Sequence, residues 1–419
     1  MKAIWDVSNI CNLKCLHCAA SDFMETKLHL EKNDYVNIIN NIKELVDTID
    51  LMGGEPFVSP NIFYILEELY KYKIKTSIIT NGQFENLIIN KLSKYFDNFD
   101  SLIISLDGNK KENDMIRGDG SFEKATNFLE LLINKKKEIN HEFFIGINMT
   151  INNYNFNNII STIDELFNKY SINYIQLSPL LLQGNLRNNI NIQISPVDLL
   201  NTYENISSYI ANSNNDIRLQ FTNPILPEYL NAKYNLLFPI EMEKCPAIVQ
   251  SVYINSEGLV GGCRNVSDFT IDAKKENIVT KYNALSEFLK KKDKFHKVNS
   301  CDCIYNDICN DCIYGFESEI PPICKLVMER YDINALLSKY KFILKKPICV
   351  QTNSINSKII YPNLCEVVEY EMIGFNILDN IQDVALSSLE ISNIVNMDPT
   401  LIFRFLIQEK SKKHVDIIK

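Results

Sequence analysis

Six short apolar strands alternate with helices between residues 3 and 178, and this alternation limits the possible folds more than any other feature of the chain. Strands read at 3–8, at the segment ending Asp50-Leu51-Met52, and at 75–80, 101–106, 143–151 and 173–178. Helices read at 30–46, 61–71, between 82 and 101, at 121–136 and at 156–169. In the first of them Tyr35, Ile38, Ile39, Ile42, Leu45 and Val46 recur at the helical period. Such alternation predicts parallel pairing through right-handed crossovers, and so an α/β sheet that is either open or a barrel. In folds of this kind the loops after the carboxyl ends of the strands carry the chemistry.

Those loops hold the unusual residues. The first strand runs into Cys11-Asn-Leu-Lys-Cys15-Leu-His-Cys18, the second into Gly53-Gly54-Glu55-Pro56, the third into Asn81-Gly82 and the fourth into Asp107-Gly108. Three thiols in one short loop suit an iron-sulfur cluster: they ligate three irons of a four-iron cluster and leave the fourth open to a small molecule. The competing reading is a partial zinc site, although zinc sites usually pair Cys-x2-Cys units with a fourth ligand.

The chain has 12 cysteines in 419 residues. Three lie in this loop and seven between Cys245 and Cys324, leaving Cys349 and Cys365 outside the groups as buried small apolar side chains. With no charged, apolar leader after Met1 and no run of ~18 apolar residues, the expected location is the cytoplasm, where thiols serve metals more than disulfides. The 43 basic against 52 acidic residues argue against a general nucleic-acid binder, and no membrane partner is expected.

The spacing Cys11-x3-Cys15-x2-Cys18 resembles the signature of the radical S-adenosylmethionine (SAM) superfamily. That resemblance implies a four-iron cluster on Cys11, Cys15 and Cys18 whose open iron is chelated by the amino and carboxylate groups of SAM. Gly53, Gly54 and Glu55 look like the element that holds the SAM amino group: glycines permit close backbone approach, and a carboxylate suits an ammonium. Ser105 and Arg117, with Asp107-Gly108 between them, look like the segment that contacts the ribose and carboxylate. His17 reads either as the residue lying against adenine or as a solvent-facing loop side chain, and Asp107 either as a satisfied turn carboxylate or as a substrate contact. The run from Ser178-Pro179 to Gly184-Asn185 is also similar to this superfamily.

The second cysteine group opens at Cys245, continues through a hairpin with Gly258 near its turn to Cys263, and then reaches Cys301, Cys303, Cys309, Cys312 and Cys324. It resembles the SPASM extension, which implies two auxiliary four-iron clusters, one on Cys245, Cys263 and Cys312, the other on Cys301, Cys303, Cys309 and Cys324. Two spacings are shorter than the usual pattern, which leaves the partition open, as it leaves open whether the first cluster has a free iron. A zinc ribbon would leave an odd number of thiols over.

Beyond Cys324 the chain reads as a helical connector to about Tyr340, short strands over 341–366 around Thr352–Ser357, and three helical segments at 368–379, 388–396 and after the cap Asp398 with Pro399. This resembles a winged-helix unit of the kind that recognises peptides by strand addition; a plain structural cap is the other reading.

The expected architecture is a partial (β/α)6 TIM-type barrel over 1–235, a SPASM domain over 236–328 and a winged-helix-like α+β domain over 341–419. The resemblance implies a radical SAM peptide maturase, in which one electron cleaves SAM and the resulting 5′-deoxyadenosyl radical takes hydrogen from a precursor peptide to install a thioether or carbon-linked cross-link. It also implies a small electron donor such as flavodoxin or ferredoxin. The alternatives are a sulfatase-maturating, formylglycine-generating enzyme and a noncatalytic iron-sulfur protein that transfers electrons or docks peptides.

Overall fold

The computed structural model describes residues 1–24, 30–221, 225–238, 251–264, 270–282, 284, 322–330, 337–338, 341–344, 349–352, 356–361, 366–382, 384–411 and 414–418. Cys245, Cys301, Cys303, Cys309, Cys312 and Cys365 lie outside this set. The described residues fall into two compact units, one built on Met1–Phe221 and the described part of Cys245–Phe295, the other on those of Thr222–Lys244 and Ser318–Lys419. No described helix is long and apolar enough to cross a membrane.

The first unit is one ten-stranded sheet. Strands β1 (Lys2–Ser8), β2 (Thr48–Gly53), β3 (Lys75–Thr80), β4 (Phe99–Ser105), β5 (Phe144–Thr150), β6 (Tyr174–Ser178) and β7 (Ile217–Leu219) lie side by side in chain order and all run parallel. The six expected strands are present, and β7 is a seventh, three residues long. On the other side of β1 the hairpin β8 (Ser251–Ile254) and β9 (Leu259–Gly261) joins the sheet, β8 parallel to β1, with the two-residue β10 (Ile271–Asp272) at the edge. Gly258 takes the left-handed conformation that the hairpin turn requires, φ +79°.

The period of two along each strand sorts its side chains into two environments. One face carries Trp5, Leu51, Ile78, Leu102 and Ile145, which the register aligns across five strands, all at most 1% exposed. Helices α1 (Lys32–Ile42), α2 (Ile62–Lys71), α3 (Asn86–Leu92), α5 (Ser121–Ile139) and α6 (Ile159–Lys169) connect the strands, and buried apolar side chains such as Tyr35, Leu66, Phe128 and Ile163 line their inner faces. Burial of each such side chain stabilises the unit by about 1.5–3 kcal/mol before entropy is counted. The other face mixes polar with apolar residues: Lys2, Asp50, Ser77, Ser101, Ser105, Asn148, Gln176, Ser178, Arg218 and Gln220 border one cavity together with Ile4, Met52, Ile79 and Ile103. A sheet whose concave face encloses a cavity from β1 to β7, with its edges unjoined, is a partial barrel.

Three helices escaped the sequence reading: α4 (Lys110–Arg117), α7 (Pro196–Ala211) and α8 (Ile225–Tyr234). Helix α4 opens on a capping box in which Asn109 and Glu112 satisfy each other's backbone N–H. It lies between β4 and α5 and ends at Arg117.

In the second unit, helices α8 (Ile225–Tyr234) and Pro322–Arg330 pack together, burying Leu226, Tyr229, Ile323, Cys324 and Val327. Strand Lys341–Leu344 pairs antiparallel with Leu386–Ser387 on one side and Val415–Ile418 on the other. Strands Cys349–Thr352, Asn356–Tyr361 and Glu366–Glu371 form an antiparallel three-stranded sheet in which Thr352 pairs with Ser357. Helices Met372–Asp379, Ser388–Val395 and Pro399–Ser411 follow. The second opens on a Ser387/Glu390 capping box, and the third on Asp398, whose carboxylate accepts from the Thr400 N–H at 2.7 Å.

Candidate active site

The end of β2 is zipped to the entrance of the cysteine loop. The Gly54 N–H donates to the Ser8 carbonyl at 2.7 Å and the Glu55 N–H to the Ile10 carbonyl at 2.9 Å. The backbones come so close that a Cβ on Gly53, at φ +126°, would lie 2.3 Å from the Ser8 oxygen, and one on Gly54 would lie 2.3 Å from the Ile10 oxygen. These glycines are needed for the approach of two backbones to each other, whatever ligand they also meet. Gly54→Ala is expected to displace Ile10 and Cys11 and to cost about 1–3 kcal/mol, as overpacking does. Urea unfolding followed by the fluorescence of Trp5, the single tryptophan, will read this as a lower midpoint.

Glu55 turns inward instead of toward solvent and is 1% exposed. Its carboxylate accepts from the Phe57 N–H at 3.1 Å, the Thr80 hydroxyl at 2.8 Å and the Asn81 N–H at 2.7 Å. Burial pushes its pKa up to about 7 even though these three donors favour the charged form. The carboxylate thus ties the end of β2 to the end of β3.

Asn81, held by that tie, reaches back to the loop. Its Nδ2 donates to Asn12 Oδ1 at 2.7 Å and lies 3.7 Å from Cys11 Sγ. The Leu13 N–H points at the same sulfur at 3.4 Å. Between the second and third thiols, Leu16 packs against the buried cluster of Ile116, Leu186 and Ile192, and its N–H donates to the Ile116 carbonyl at 2.9 Å. All three cysteines are free thiols on the wall of the cavity. Burial raises the pKa of Cys15 to about 11, with Arg117 pulling the other way, and raises that of Cys11.

Among the described residues no three His, Cys, Asp or Glu side chains are grouped to hold a single metal ion. The three thiols share a loop and a cavity wall, and three thiolates in one loop suit a four-iron cluster in which each ligates one iron.

Asp107, fully buried, organises the next segment. Its Oδ2 lies 2.7 Å from Arg117 Nε and 3.2 Å from His17 Nε2, and its Oδ1 accepts from the Thr150 N–H at 2.8 Å. Burial alone would raise its pKa, but Arg117 and His17 outweigh that and hold the carboxyl below its ordinary value. His17 is shifted down by burial, against the pull of Asp107. Asp107 is thus a buried, ion-paired carboxylate and is not among the residues that line the cavity. His17, with its side chain 11% exposed, is neither solvent-facing nor among the residues lining the cavity. Arg117 does line it, anchored by Asp107 and with Nη1 4.0 Å from Cys15 Sγ.

The cavity has a volume of about 1030 Å³ and brings Cys11, Cys15, Cys18, Gly53, Gly54, Glu55, Ser105 and Arg117 together on one surface. Part of its wall was not read from the sequence: Asn148, whose Oδ1 has no hydrogen-bond partner among the described residues, and Gln176, Tyr174 and Gln220. Gly146 leaves room for the Tyr174 ring, which a Cβ would meet at 2.5 Å, and the Arg218 guanidinium stacks on that ring at 3.7 Å.

A second cavity of about 430 Å³ shares Asn9, Met24, Gly53, Gly54 and Arg264 with the first and is also lined by Cys263. At its wall Arg264, next to Cys263, grips Asp6 through Nε at 3.1 Å and Nη2 at 2.6 Å, and the Tyr253 hydroxyl donates to the same carboxylate. This bidentate pair fastens the chain after β9 to β1, the strand that leads into the cysteine loop. Cys263 is partly exposed here, and Cys324 is buried in the second unit.

The first unit is thus a partial α/β barrel with a three-thiol loop and a glycine-walled rim beside one cavity. Residues 5–166 match the family described as "Radical SAM superfamily". Those residues are a radical SAM domain, the superfamily that the cysteine spacing resembles. The mycofactocin maturase MftC of Mycolicibacterium smegmatis is 32% identical over 135 residues, 31% of this chain and 33% of that protein. The aligned region thus spans about a third of that relative. Streptococcus suis SuiB bound to its precursor peptide SuiA shares the fold at a TM-score of 0.59 and 20% identity, over 77% of this chain and 75% of that one. The protein anSMEcpe with bound AdoMet does so at a TM-score of 0.60 and 18% identity, over 80% and 96%.

Proposed function

We propose that this chain is a radical SAM peptide maturase with a SPASM extension, acting on a ribosomally made precursor peptide to install a thioether or carbon-linked cross-link. The observation that carries the reading is the convergence of the three loop thiols, Gly53–Glu55, Ser105 and Arg117 on one cavity. Cys11, Cys15 and Cys18 would hold a four-iron cluster, which when bound supplies the single electron that cleaves SAM to methionine and a 5′-deoxyadenosyl radical. Around it the chain's own groups bind and orient. The Gly53–Gly54 backbone and Glu55 accept the SAM amino group, the Arg117 guanidinium, held by Asp107, meets its carboxylate, and Ser105 meets the ribose. With its ring on Asp107, His17 supports Arg117 in place of stacking on adenine.

Asn148, Gln176 and Gln220 wall a part of the cavity that none of these SAM contacts uses, and would face the substrate. The names of similar proteins support a peptide substrate: MftC is a maturase, and SuiB is seen with a precursor peptide. Cys245, Cys263, Cys301, Cys303, Cys309, Cys312 and Cys324 would hold two auxiliary clusters, making three four-iron clusters in all, and a flavodoxin- or ferredoxin-like protein would donate the electron. The sheet of Cys349–Thr352, Asn356–Tyr361 and Glu366–Glu371 with the helices after it would bind the leader segment along a strand edge, as a winged-helix element does.

The deciding experiment is reductive cleavage of SAM to 5′-deoxyadenosine by the anaerobically reconstituted protein, beside Cys15→Ala. Turnover in the wild type that disappears in the variant is the expected result. An iron-loaded wild type that leaves SAM intact, with candidate peptides present, would overturn the assignment in favour of a noncatalytic iron-sulfur protein. Removal of 341–419 is expected to abolish peptide modification while sparing 5′-deoxyadenosine formation.

A further inference from the structure

The turn after β6 gives the cysteine loop a second backbone support, and we infer that Asn185 in it is a positioning residue for the cluster. The inference rests on the cluster assignment above. Gly184 sits at φ +57°, so close to the loop that a Cβ would lie 2.2 Å from the Cys18 carbonyl oxygen and 2.5 Å from Ser21 Oγ. Its N–H donates to Asp22 Oδ2 at 3.1 Å. The Asn185 N–H donates to the Cys18 carbonyl at 3.0 Å, and its side-chain Nδ2 donates to the Cys15 carbonyl at 2.9 Å. Asn189 Nδ2 reaches the Leu16 carbonyl at 3.4 Å and closes back on the Asn185 carbonyl at 2.8 Å. Leu186, between them, packs in the same apolar cluster as Leu16.

One turn therefore takes the carbonyls of Cys15, Leu16 and Cys18. A loop that has neither helix nor sheet ladder must find its hydrogen bonds elsewhere, and here they come from a segment about 170 residues downstream. None of these contacts reaches a sulfur. They fix the backbone from which Cys15 and Cys18 project, so that the thiols are oriented before iron arrives. Groups that orient metal ligands from behind usually matter nearly as much as the ligands, and their loss typically costs about 10–100-fold in metal affinity.

Asn185→Ala is a selective probe. It removes the Nδ2 contact, keeps the backbone N–H on Cys18, and leaves the Cys15 carbonyl its bond from the Cys18 N–H at 3.3 Å. The expected result is a reconstituted variant that yields its iron to a chelator about 10–100-fold more readily than wild type, with a weaker change in the electron paramagnetic resonance spectrum of the reduced cluster when SAM is added. The iron-free variant should unfold at the wild-type urea concentration.

Iron retention and SAM response equal to wild type would overturn the inference. So would a fall in the unfolding midpoint of the iron-free variant that accounts for the lost iron, because Asn185 would then serve the fold and not the thiols. A wild-type protein that takes up no cluster at all would instead defeat the functional assignment.

Discussion

Replacement of Asp107 by alanine will lower the stability of the first unit by about 3–5 kcal/mol, the usual consequence of removing one partner from a buried ion pair. Arg117, 8% exposed, would keep its charge without a counter-ion, and the Thr150 N–H and His17 would each lose an acceptor. The expected observation is a large drop in the urea midpoint read from Trp5, which is fully buried in β1. Because the loss comes mainly from the stranded guanidinium, Asp107→Ala combined with Arg117→Met should recover a substantial part of it. A double variant no more stable than Asp107→Ala would show that the carboxylate acts chiefly through Thr150 and the strand ends, and would refute the ion-pair account.

The second large effect belongs to Glu55. Alanine there would leave the Thr80 hydroxyl and the N–H groups of Phe57 and Asn81 buried without an acceptor, at about 1–3 kcal/mol for each unsatisfied group. Glutamine keeps an oxygen for two donors and turns an NH2 toward the third, so it should cost only about one such contact. It also removes a titration. The folded-state pKa of Glu55 is raised from 4.5 to about 7, so the folded protein holds the proton more tightly than the unfolded chain. Its contribution is fully present below pH 4.5 and is lost as the pH rises through about 7. Wild type should therefore lose ground to Glu55→Gln between pH 5 and pH 7.5, by about 1.4 kcal/mol per pH unit until the upper pKa is reached. A constant gap between the two proteins over that range would show that the three donors hold Glu55 at an ordinary carboxylate pKa.

Local signals made much of this site legible. The thiols and Gly53–Gly54 each follow a strand whose apolar run is plain, and Ser105 closes another, so the rule that strand ends carry the chemistry puts them on one rim. The reason for the glycines was only half visible, because the Ser8 and Ile10 carbonyls that exclude a Cβ come from another strand. α4 was missed because Lys110–Arg117 has little apolar periodicity; Asn109-x-x-Glu112 was its one usable signal. β7 was missed because three residues make no pattern. The cavity wall was written in Ser101, Ser105 and Asn148, where polar residues occupy positions that a filled barrel would give to branched apolar ones. The Asp6–Arg264 pair lies beyond such reading: its partners are 258 residues apart, and no local rule links them.

The pairing of β8 with β1 also fixes an order of events during synthesis. Lys2–Trp5 receive their second neighbour only when Ser251–Ile254 have been made, roughly 250 codons later. At about 5–20 residues per second the ribosome leaves that strand edge open for about 12–50 s. Bare edges invite pairing with foreign strands, and charged side chains discourage it. Lys2 and Asp6, two charges in a seven-residue strand, then have a duty before the protein is complete: they keep a nascent edge from meeting its like on a neighbouring chain of the same polysome. Each later acquires a native partner, Lys2 with Asp50 and Asp6 with Arg264.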